Sequence, residues 1–323
     1  MLTEVLEHLA PRGGAGPMVD ATLGEGGHTE AFLELFPDLH VYGVDADGEI
    51  QQRARTRLGR FEGRVTFYRG WFDAFFREYP GSTPPDRILL DLGISMYHFS
   101  EASRGFSFTA DDELDMRLDR TAGASAVDLV NAATEEELAG IVFTFGEDRF
   151  ARRIARRIVA ERRRAPITTA RRLADVVAGA VAGPRRGRIH PATRTFQALR
   201  IAVNDELGRL RRALPAAVHV LAPGGRIGVI SFHSLEDRIV KRFFRGDPTD
   251  ERENPSIELG NTPILKEKAG YVVRPITKKP ITPSEEEVRR NPAARSAKFR
   301  VAEKVIDDGT GRRATSSGIE GRQ

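Results

Sequence analysis

Short apolar runs that end in an acidic residue recur along the first third of the chain. The four runs of this part span residues 17–20, 40–45, 65–69 and 87–93. Three of them end at or beside a carboxylate, namely Asp20, Asp45 and Asp91. Stretches with apolar residues at helical spacing separate the runs. This alternation predicts an α/β fold with a parallel, doubly wound sheet, in which the three carboxylates share the edge where ligands bind.

A glycine-rich turn follows the first run and precedes a helical pattern. Strand, glycine loop and helix in this order form the entry to a nucleotide-type site, because glycine lets the backbone approach a ligand closely. Asp45 ends the next strand about 20 residues later, the usual position of a ribose-hydroxyl acceptor. Gly24 and Gly26 fit a dinucleotide fingerprint, but Thr29 stands where its third glycine belongs.

From about residue 100 the pattern becomes helical. Phe150, Ile154 and Ile158 form an apolar stripe at helical spacing, with arginines on the opposite face. Side chains that cap helices precede two further helical patterns: Thr134 with Glu137, and Thr168 or Thr169. The chain therefore divides into three predicted parts: a sheet domain of residues 1–99 and 195–305, a helical insertion of residues 100–194, and a disordered tail of residues 306–323.

The α/β pattern resumes after the helical insertion. One helix is expected from about Arg194, with its apolar positions in phase from Phe196 to Leu210. Strands are expected over residues 226–232 and 298–305, and a long surface excursion over 246–283. Ser234 with Asp237 has the spacing of a capping box and predicts the start of another helix.

Charge is distributed unevenly along the chain. The formal net charge is +4, but the stretch from Arg149 to Arg212 holds 18 arginines, no lysine and four acidic residues, so it carries +14 and the remainder carries −10. Arginine suits bidentate contacts with phosphate. The block indicates a polyanionic partner, with a solvated helical surface as the plain alternative.

Composition removes several classes of function. The chain has no cysteine, which excludes disulfides, zinc–thiolate sites and thiol nucleophiles. No apolar run approaches the ~20 residues of a membrane span, so no membrane contact and a cytoplasmic location are expected. No metal site is predicted.

Eight stretches together resemble the bacterial ribosomal RNA small-subunit methyltransferase H family, of the MraW type. These enzymes are cytosine-N4 methyltransferases that use S-adenosyl-L-methionine. The resemblance runs in order over residues 3–305 and implies a Rossmann-like class I methyltransferase sheet with an all-helical insertion. The stretches are residues 20–28 (DATLGEGGH), 89–95 (LLDLGIS), 104–108 (RGFSF), 114–117 (LDMR), 146–150 (GEDRF), 190–197 (HPATRTFQ), 231–238 (SFHSLEDR) and 291–296 (NPAARS).

The resemblance implies a role for each cofactor-binding position. It places the cofactor against Gly26, Gly27 and His28. It also places Asp45 on the ribose, Phe72 beside the adenine and Asp91 near the methionine end. The family usually has Ser-Ser-Pro-Gln after the Asp-Leu-Gly stretch, whereas this chain has Ser-Met-Tyr-His, so His98 replaces a cofactor-contacting glutamine. Imidazole still donates or accepts a hydrogen bond.

The substrate implied by the resemblance is a cytidine in the decoding region of small-subunit ribosomal RNA, within assembled small subunits. Asp91, or a backbone carbonyl beside it, is the candidate acceptor for the N4 proton. Ser231 and His233, at the end of a later strand, are candidates for the cytosine pocket. Arg194, Arg152 and Arg156 are candidates for RNA binding. The oligomeric state is left open, with a homodimer as one alternative.

Two other classes of function compete with this reading. An NAD-dependent oxidoreductase would explain the glycine loop and Asp45, but Thr29 breaks its fingerprint and no hydride-transfer dyad is evident. A non-catalytic RNA-binding module would explain the arginines and would leave the acidic strand ends unexplained. Binding of S-adenosylmethionine rather than NAD distinguishes a methyltransferase from an oxidoreductase. Methyl transfer to RNA distinguishes a methyltransferase from a non-catalytic RNA-binding module.

Overall fold

The computed structural model describes residues 1–11, 16–100, 103–109, 111–181, 190–246 and 271–306. Its centre is a seven-stranded sheet of order β3-β2-β1-β4-β5-β7-β6, in which the first five strands are parallel and β7 is antiparallel to both of its neighbours, β5 and β6. The strands are β1 (Met18–Asp20), β2 (Val41–Asp45), β3 (Val65–Arg69), β4 (Arg87–Asp91), β5 (Arg226–Ser231), β6 (Tyr271–Pro275) and β7 (Lys298–Ile306). The predicted α/β fold class is confirmed.

Thirteen α-helices are described around and between these strands. Five precede or follow the first four strands: α1 (Leu2–Leu9), α2 (Gly27–Leu35), α3 (Gly48–Leu58), α4 (Phe72–Arg77) and α5 (Met96–Ser100). Six more follow α5 and precede β5: α6 (Ala126–Ala132), α7 (Glu135–Gly146), α8 (Ala151–Arg162), α9 (Ala170–Ala180), α10 (Thr193–Asn204) and α11 (Glu206–Val220). The last two are α12 (Ser234–Arg245) and α13 (Glu285–Arg290). Within the described residues, no helix is long and apolar enough to cross a membrane.

Alternate side chains of each central strand pack on opposite faces of the sheet. Ile88 and Leu90 of β4 face a core that contains α4, α11 and α12, whereas Leu89 faces a core that contains α1, α2 and α3. Burial on both faces explains why these strands read as unbroken apolar runs. All six residues of β5 are buried for the same reason.

Helices α6–α9 pack around an apolar core of their own. The apolar stripe of α8 is buried in this core, and Arg152, Arg153, Arg156 and Arg157 are exposed on the opposite side. Phe196 and Leu199 of α10 also belong to this core, beyond the predicted boundary at residue 194. The division of the chain into domains stays a prediction.

The expected single helix after residue 194 is wrong, because the chain breaks between α10 and α11. Asp205 has φ +48°, the left-handed conformation, which ends the first helix. The side chain of the preceding Asn204 donates to the carbonyl of Met116 at 2.8 Å and accepts from the amide of Leu118 at 2.9 Å. This contact holds the break in place.

Two further expectations need correction. Part of the stretch expected as a surface excursion, residues 271–275, is the edge strand β6, which pairs with β7. Residues 247–270 of that stretch lie outside the described residues. Ile306 ends β7, and the rest of the predicted tail also lies outside the described residues.

Candidate active site

The carboxyl ends of β1, β2 and β4 bring Asp20, Asp45 and Asp91 to one edge of the sheet, as the strand pattern predicts. Adjacent parallel pairing aligns these ends. The glycine turn lies between them, with Gly26 at φ +81° capping the start of α2. A Cβ atom on Gly26 would stand 3.0 Å from Leu58, so glycine is required for both its backbone conformation and the close approach of α3.

A cavity of about 520 Å³ opens at this edge. Six of the predicted cofactor residues line it: Gly27, His28, Asp45, Phe72, Asp91 and His98. Gly26 does not line the cavity but starts the helix that supports the loop. The volume lies in the range of pockets for nucleoside-sized ligands, ~300–1,000 Å³.

Asp45 shapes the loop as well as the cavity wall. Its carboxylate accepts hydrogen bonds from the amide of Gly24 at 2.8 Å and from the amide of Asp47 at 2.9 Å. Burial raises the pKa of Asp45 to about 6 despite these two bonds. The ionised carboxylate therefore predominates at neutral pH and accepts hydrogen bonds from hydroxyl groups.

Of the three carboxyl groups at the strand ends, Asp91 has the highest pKa. Burial, with a smaller contribution from the charge of Asp20, raises its pKa to about 7. Its Oδ1 atom is buried and has no hydrogen-bond partner among the described residues. Oδ2 lies 3.6 Å from Nδ1 of His28, whose own pKa burial lowers to about 4, so the imidazole is neutral at pH 7.

Asp20 lies behind this pair and is 2% exposed. Its Oδ2 accepts the hydroxyl hydrogen of Thr29 at 2.7 Å, while Oδ1 has no described partner. Burial raises the pKa of Asp20 to about 6. Thr29, which breaks the dinucleotide fingerprint, thus supports the carboxylate at the end of β1.

His98 joins the cavity to a buried ion-pair network. Its Nε2 lies 2.8 Å from Oδ2 of Asp47, and Arg104 donates to the same oxygen at 2.7 Å. Arg104 also reaches Glu49 at 2.6 Å. Although burial alone would raise the pKa of Asp47, the bonds from His98 and Arg104 lower it to about 2. Nδ1 of His98 is buried without a described partner.

Several cavity residues were missed by the reading of the sequence. Leu118, Phe232 and Asn291 all line the cavity, yet they come from distant parts of the chain. Asn291 opens one of the eight stretches that carry the family resemblance, which was the available signal. Leu118 is held at the cavity by the hydrogen bond that its backbone amide donates to Asn204, and no local sequence pattern predicts such a contact.

The predicted substrate residues lie outside the cavity lining. Ser231 is buried, and its hydroxyl faces the carbonyl of Lys298 at 3.4 Å. Arg194 is exposed and donates to the carbonyl of Glu147 at 3.0 Å. Arg152 and Arg156 are exposed on α8, where Arg156 faces Glu135 at 3.5 Å. Their proposed contacts with RNA stay predictions.

His233, not Ser234, is the N-cap of α12, which corrects the expected capping box. His233 and Glu236 form the reciprocal pair, and the carboxylate of Glu236 also accepts the amide of Phe232 at 2.8 Å. The hydroxyl of Ser234 instead donates to Glu147 at 2.6 Å. The expectation failed because capping rules favour Ser and Asp, whereas here an imidazole nitrogen, Nδ1 of His233, accepts the amide of Glu236 at 3.4 Å.

Glu206, His233 and Glu236 place one ligand atom each within 4.8 Å of one another, the spacing of a metal site. Both oxygens of Glu206 are already bound by Arg200, at 2.7 and 2.8 Å. The carboxylate of Glu236 is held by two backbone amides and by His233 at 3.1 Å. Protein groups thus neutralise and occupy this cluster.

Comparison with known proteins finds matches over almost the whole chain. The profile of the MraW methylase family matches residues 1–305. Ribosomal RNA small subunit methyltransferase H of Treponema denticola is 50% identical over 314 residues, which cover 94% of this chain and 96% of that protein. The proteins of the same name from Methylobacterium sp. and Nostoc punctiforme are 46% and 47% identical, and the matches cover 94% of this chain and 90% and 92% of those proteins.

Proposed function

Because the chain belongs to the MraW methylase family, we propose that it methylates the exocyclic N4 of a cytidine in the decoding region of small-subunit ribosomal RNA. The methyl donor is S-adenosyl-L-methionine, and the proposed substrate is the assembled small subunit. The observation that carries the proposal is the cavity at the strand ends, which Asp45 of β2 and Asp91 of β4 line together with the glycine loop.

The residues present fit such a cofactor. Asp45 offers an ionised carboxylate for a ribose diol, and Phe72, at the start of α4, offers a ring beside the adenine. The orphaned Oδ1 of Asp91 and Nδ1 of His98 are buried polar atoms that a ligand in the cavity would satisfy. Buried polar atoms without a partner destabilise a protein by about 1–3 kcal/mol each, so their presence favours a bound ligand.

The bound cofactor supplies a sulfonium methyl group. Transfer of that methyl group to N4 would leave the cofactor as the neutral thioether and would release the N4 proton, for which this chain must supply an acceptor. Asp91, whose pKa is about 7, is matched to accept a proton near neutral pH. Neutral His28 beside it leaves the carboxylate charge available to a cationic ligand.

The absence of cysteine supports N4 over carbon 5 as the target. Methylation of cytosine at carbon 5 requires a thiolate that adds to the ring, and this chain contains none. Transfer to an exocyclic amine needs no covalent intermediate, only an in-line methyl group, a proton acceptor and exclusion of water. The exposed arginine face of α8 supports the proposed RNA partner through its charge.

The test is methylation of small subunits from a strain that lacks this protein. Purified protein and labelled S-adenosylmethionine are added, and the RNA is digested and analysed by mass spectrometry. We expect N4-methylcytidine at one decoding-region position, with assembled subunits preferred over free RNA. Asp45→Asn should bind cofactor more weakly and methylate more slowly at limiting cofactor, since a charge-assisted contact contributes ~1.5–3 kcal/mol. Methyl transfer to carbon 5 or to another base would reject the proposal.

A further inference from the structure

A second cavity, of about 260 Å³, lies between the C-terminal half of α12 and the chain that leaves β6. Its lining is strongly cationic: Lys241, Arg245, Lys278 and Arg300, with Phe244, Pro275 and Thr277. Among the described residues no acidic side chain lines it, and it shares no lining residue with the active-site cavity. The proposed chemistry therefore makes no use of it.

One of the four cations is already neutralised. Arg300 donates to Oδ1 of Asp237 at 2.7 Å, and Lys298 lies 3.3 Å from the other oxygen. Lys241, Arg245 and Lys278 have no carboxylate partner within the described ranges. The C-terminal end of α12 contributes a partial charge of roughly −0.5, which does not offset three whole positive charges.

The remaining polar group of the lining is also a donor. Oγ1 of Thr277 accepts the amide of Val301 at 3.0 Å, so its own hydrogen is available to an acceptor in the cavity. Three ammonium or guanidinium groups and one hydroxyl, all donors, suit an oxyanion with several acceptor oxygens. Phosphate matches this set.

The cavity ends a cationic face of α12. Arg238, Lys241, Arg242 and Arg245 follow one another at i, i+3, i+4 and i+7, so they share one side of the helix over ~10 Å. Arg238 lies 3.2 Å from Glu147, which ends α7 in the helical region. The contact with Glu147 neutralises Arg238, so Lys241 and Arg245, which also line the cavity, place the charge of this face beside it, although the chain outside the arginine block carries −10.

We propose that this cavity binds a phosphodiester group of the RNA substrate, away from the cytidine that is methylated. The proposal rests on the proposed RNA methyltransferase function. The continuous face along α12 favours a polyanionic strand over an isolated small anion, because a small anion needs only the cavity. Bound there, the RNA backbone would be positioned by charge without any reading of its sequence.

The test compares Lys241→Ala/Lys278→Ala with Lys279→Ala/Arg289→Ala, two exposed cations outside the lining. Affinity for small-subunit RNA is measured over a series of salt concentrations. The cavity variant should bind RNA more weakly and show a salt slope shallower by about 1 for each lysine removed. Its affinity for S-adenosylmethionine and its melting temperature should match those of the control.

The outcomes separate this proposal from the proposed function. If the parent protein neither binds nor methylates the RNA, the function itself is wrong. If the parent methylates RNA but both variants show the same affinity and salt slope, the cavity proposal is overturned. It is equally overturned if the cavity variant loses only its affinity for inorganic phosphate, which indicates a small-anion site. The same holds if it loses affinity for whole subunits but not for free RNA, which indicates a protein contact.

Discussion

Two effects oppose each other at Asp91: burial favours the neutral carboxyl group, whereas the proposed cationic ligand favours the charged carboxylate. Its pKa of about 7 means that roughly half of the ligand-free molecules hold it ionised at neutral pH. The same burial that raises its pKa strengthens its interaction with any charge in the cavity. Its orphaned Oδ1 shows that the folded protein alone does not satisfy this residue.

Asp91→Asn keeps the shape and removes the charge. If the carboxylate stabilises the transition state, single-turnover methylation should slow by ~10²–10³. Affinity for S-adenosylhomocysteine, which has no sulfonium, should change little. The rise in kcat/KM with pH through about 7, as the carboxyl ionises, should disappear in the variant. Loss of product binding with unchanged turnover of the bound state would limit Asp91 to holding the cofactor.

Asp20 should set part of the pH dependence of stability. Its folded pKa of about 6 exceeds the unfolded value of 3.8, so the folded state binds the proton more tightly. Its contribution to stability is complete below pH 3.8 and is lost as pH rises through about 6. At ~1.4 kcal/mol for each pKa unit, the loss is on the order of 3 kcal/mol.

Asp20→Asn should therefore be less sensitive to pH than the parent protein. The free energy of unfolding, measured in urea at pH 4.5 and pH 8 without cofactor, should fall less between these values in the variant. Asp38→Asn, an exposed acid on the turn before β2, is the control and should follow the parent. An equal fall in all three proteins would show that the Asp20 carboxylate does not titrate as described.

At the scale of elements, periodicity is informative where a face is buried along the whole element. The stripe and arginine face of α8 and the runs of β4 and β5 were predicted for this reason. The break at Asp205 was not, because apolar positions stay in phase across it and the cause is a contact of Asn204 with residues near Met116. The edge strand β6 was missed because it ends in proline and lies in a stretch rich in proline, glycine and charge.

The residues of the site also separate into those that the sequence pattern predicts and those that only tertiary contacts bring together. The three carboxylates at strand ends follow from the sheet rule, and Phe232 follows the end of β5 in the same way, whereas Leu118 reaches the cavity only through tertiary packing. The roles of the predicted substrate residues stay predictions.

Asn204 should connect helix packing to cofactor binding. Asn204→Ala removes the bonds to Met116 and Leu118, and it should destabilise the fold by about 1–3 kcal/mol because buried backbone groups lose their partners. Cofactor affinity should also fall, since Leu118 lines the cavity. Calorimetry and urea unfolding measure the two effects.

Asn131→Ala is the matched control for this prediction. Asn131 makes the same pair of backbone contacts, with both the amide and the carbonyl of Ile167, but neither residue lines the cavity. It should lose stability and retain cofactor affinity. Equal losses of affinity in the two variants would mean that the helical region acts on the cavity only through global stability.

At the scale of the whole molecule, ion pairs decide how much of the arginine block is available to RNA. Glu161, which is buried, is surrounded by Arg157 at 2.9 Å, Arg172 at 2.8 Å and Arg164 at 3.5 Å. Arg156 faces Glu135. Arg152 and Arg153 are exposed and have no carboxylate partner in the part of the chain that the structure describes. The count of arginines in the sequence thus overstates the free charge of α8.

Arg152→Glu/Arg153→Glu should therefore remove most binding of small subunits while affinity for S-adenosylmethionine is retained. The matched control, Arg77→Glu/Arg289→Glu, changes net charge equally at exposed positions away from α8. Subunit binding at several salt concentrations and cofactor calorimetry give the two readouts. If both variants lose subunit binding equally, net charge rather than the face of α8 attracts the RNA. If the α8 variant also loses cofactor affinity, the helix has a structural role, because substitutions on a surface that only binds RNA should leave the affinity of the cofactor cavity unchanged.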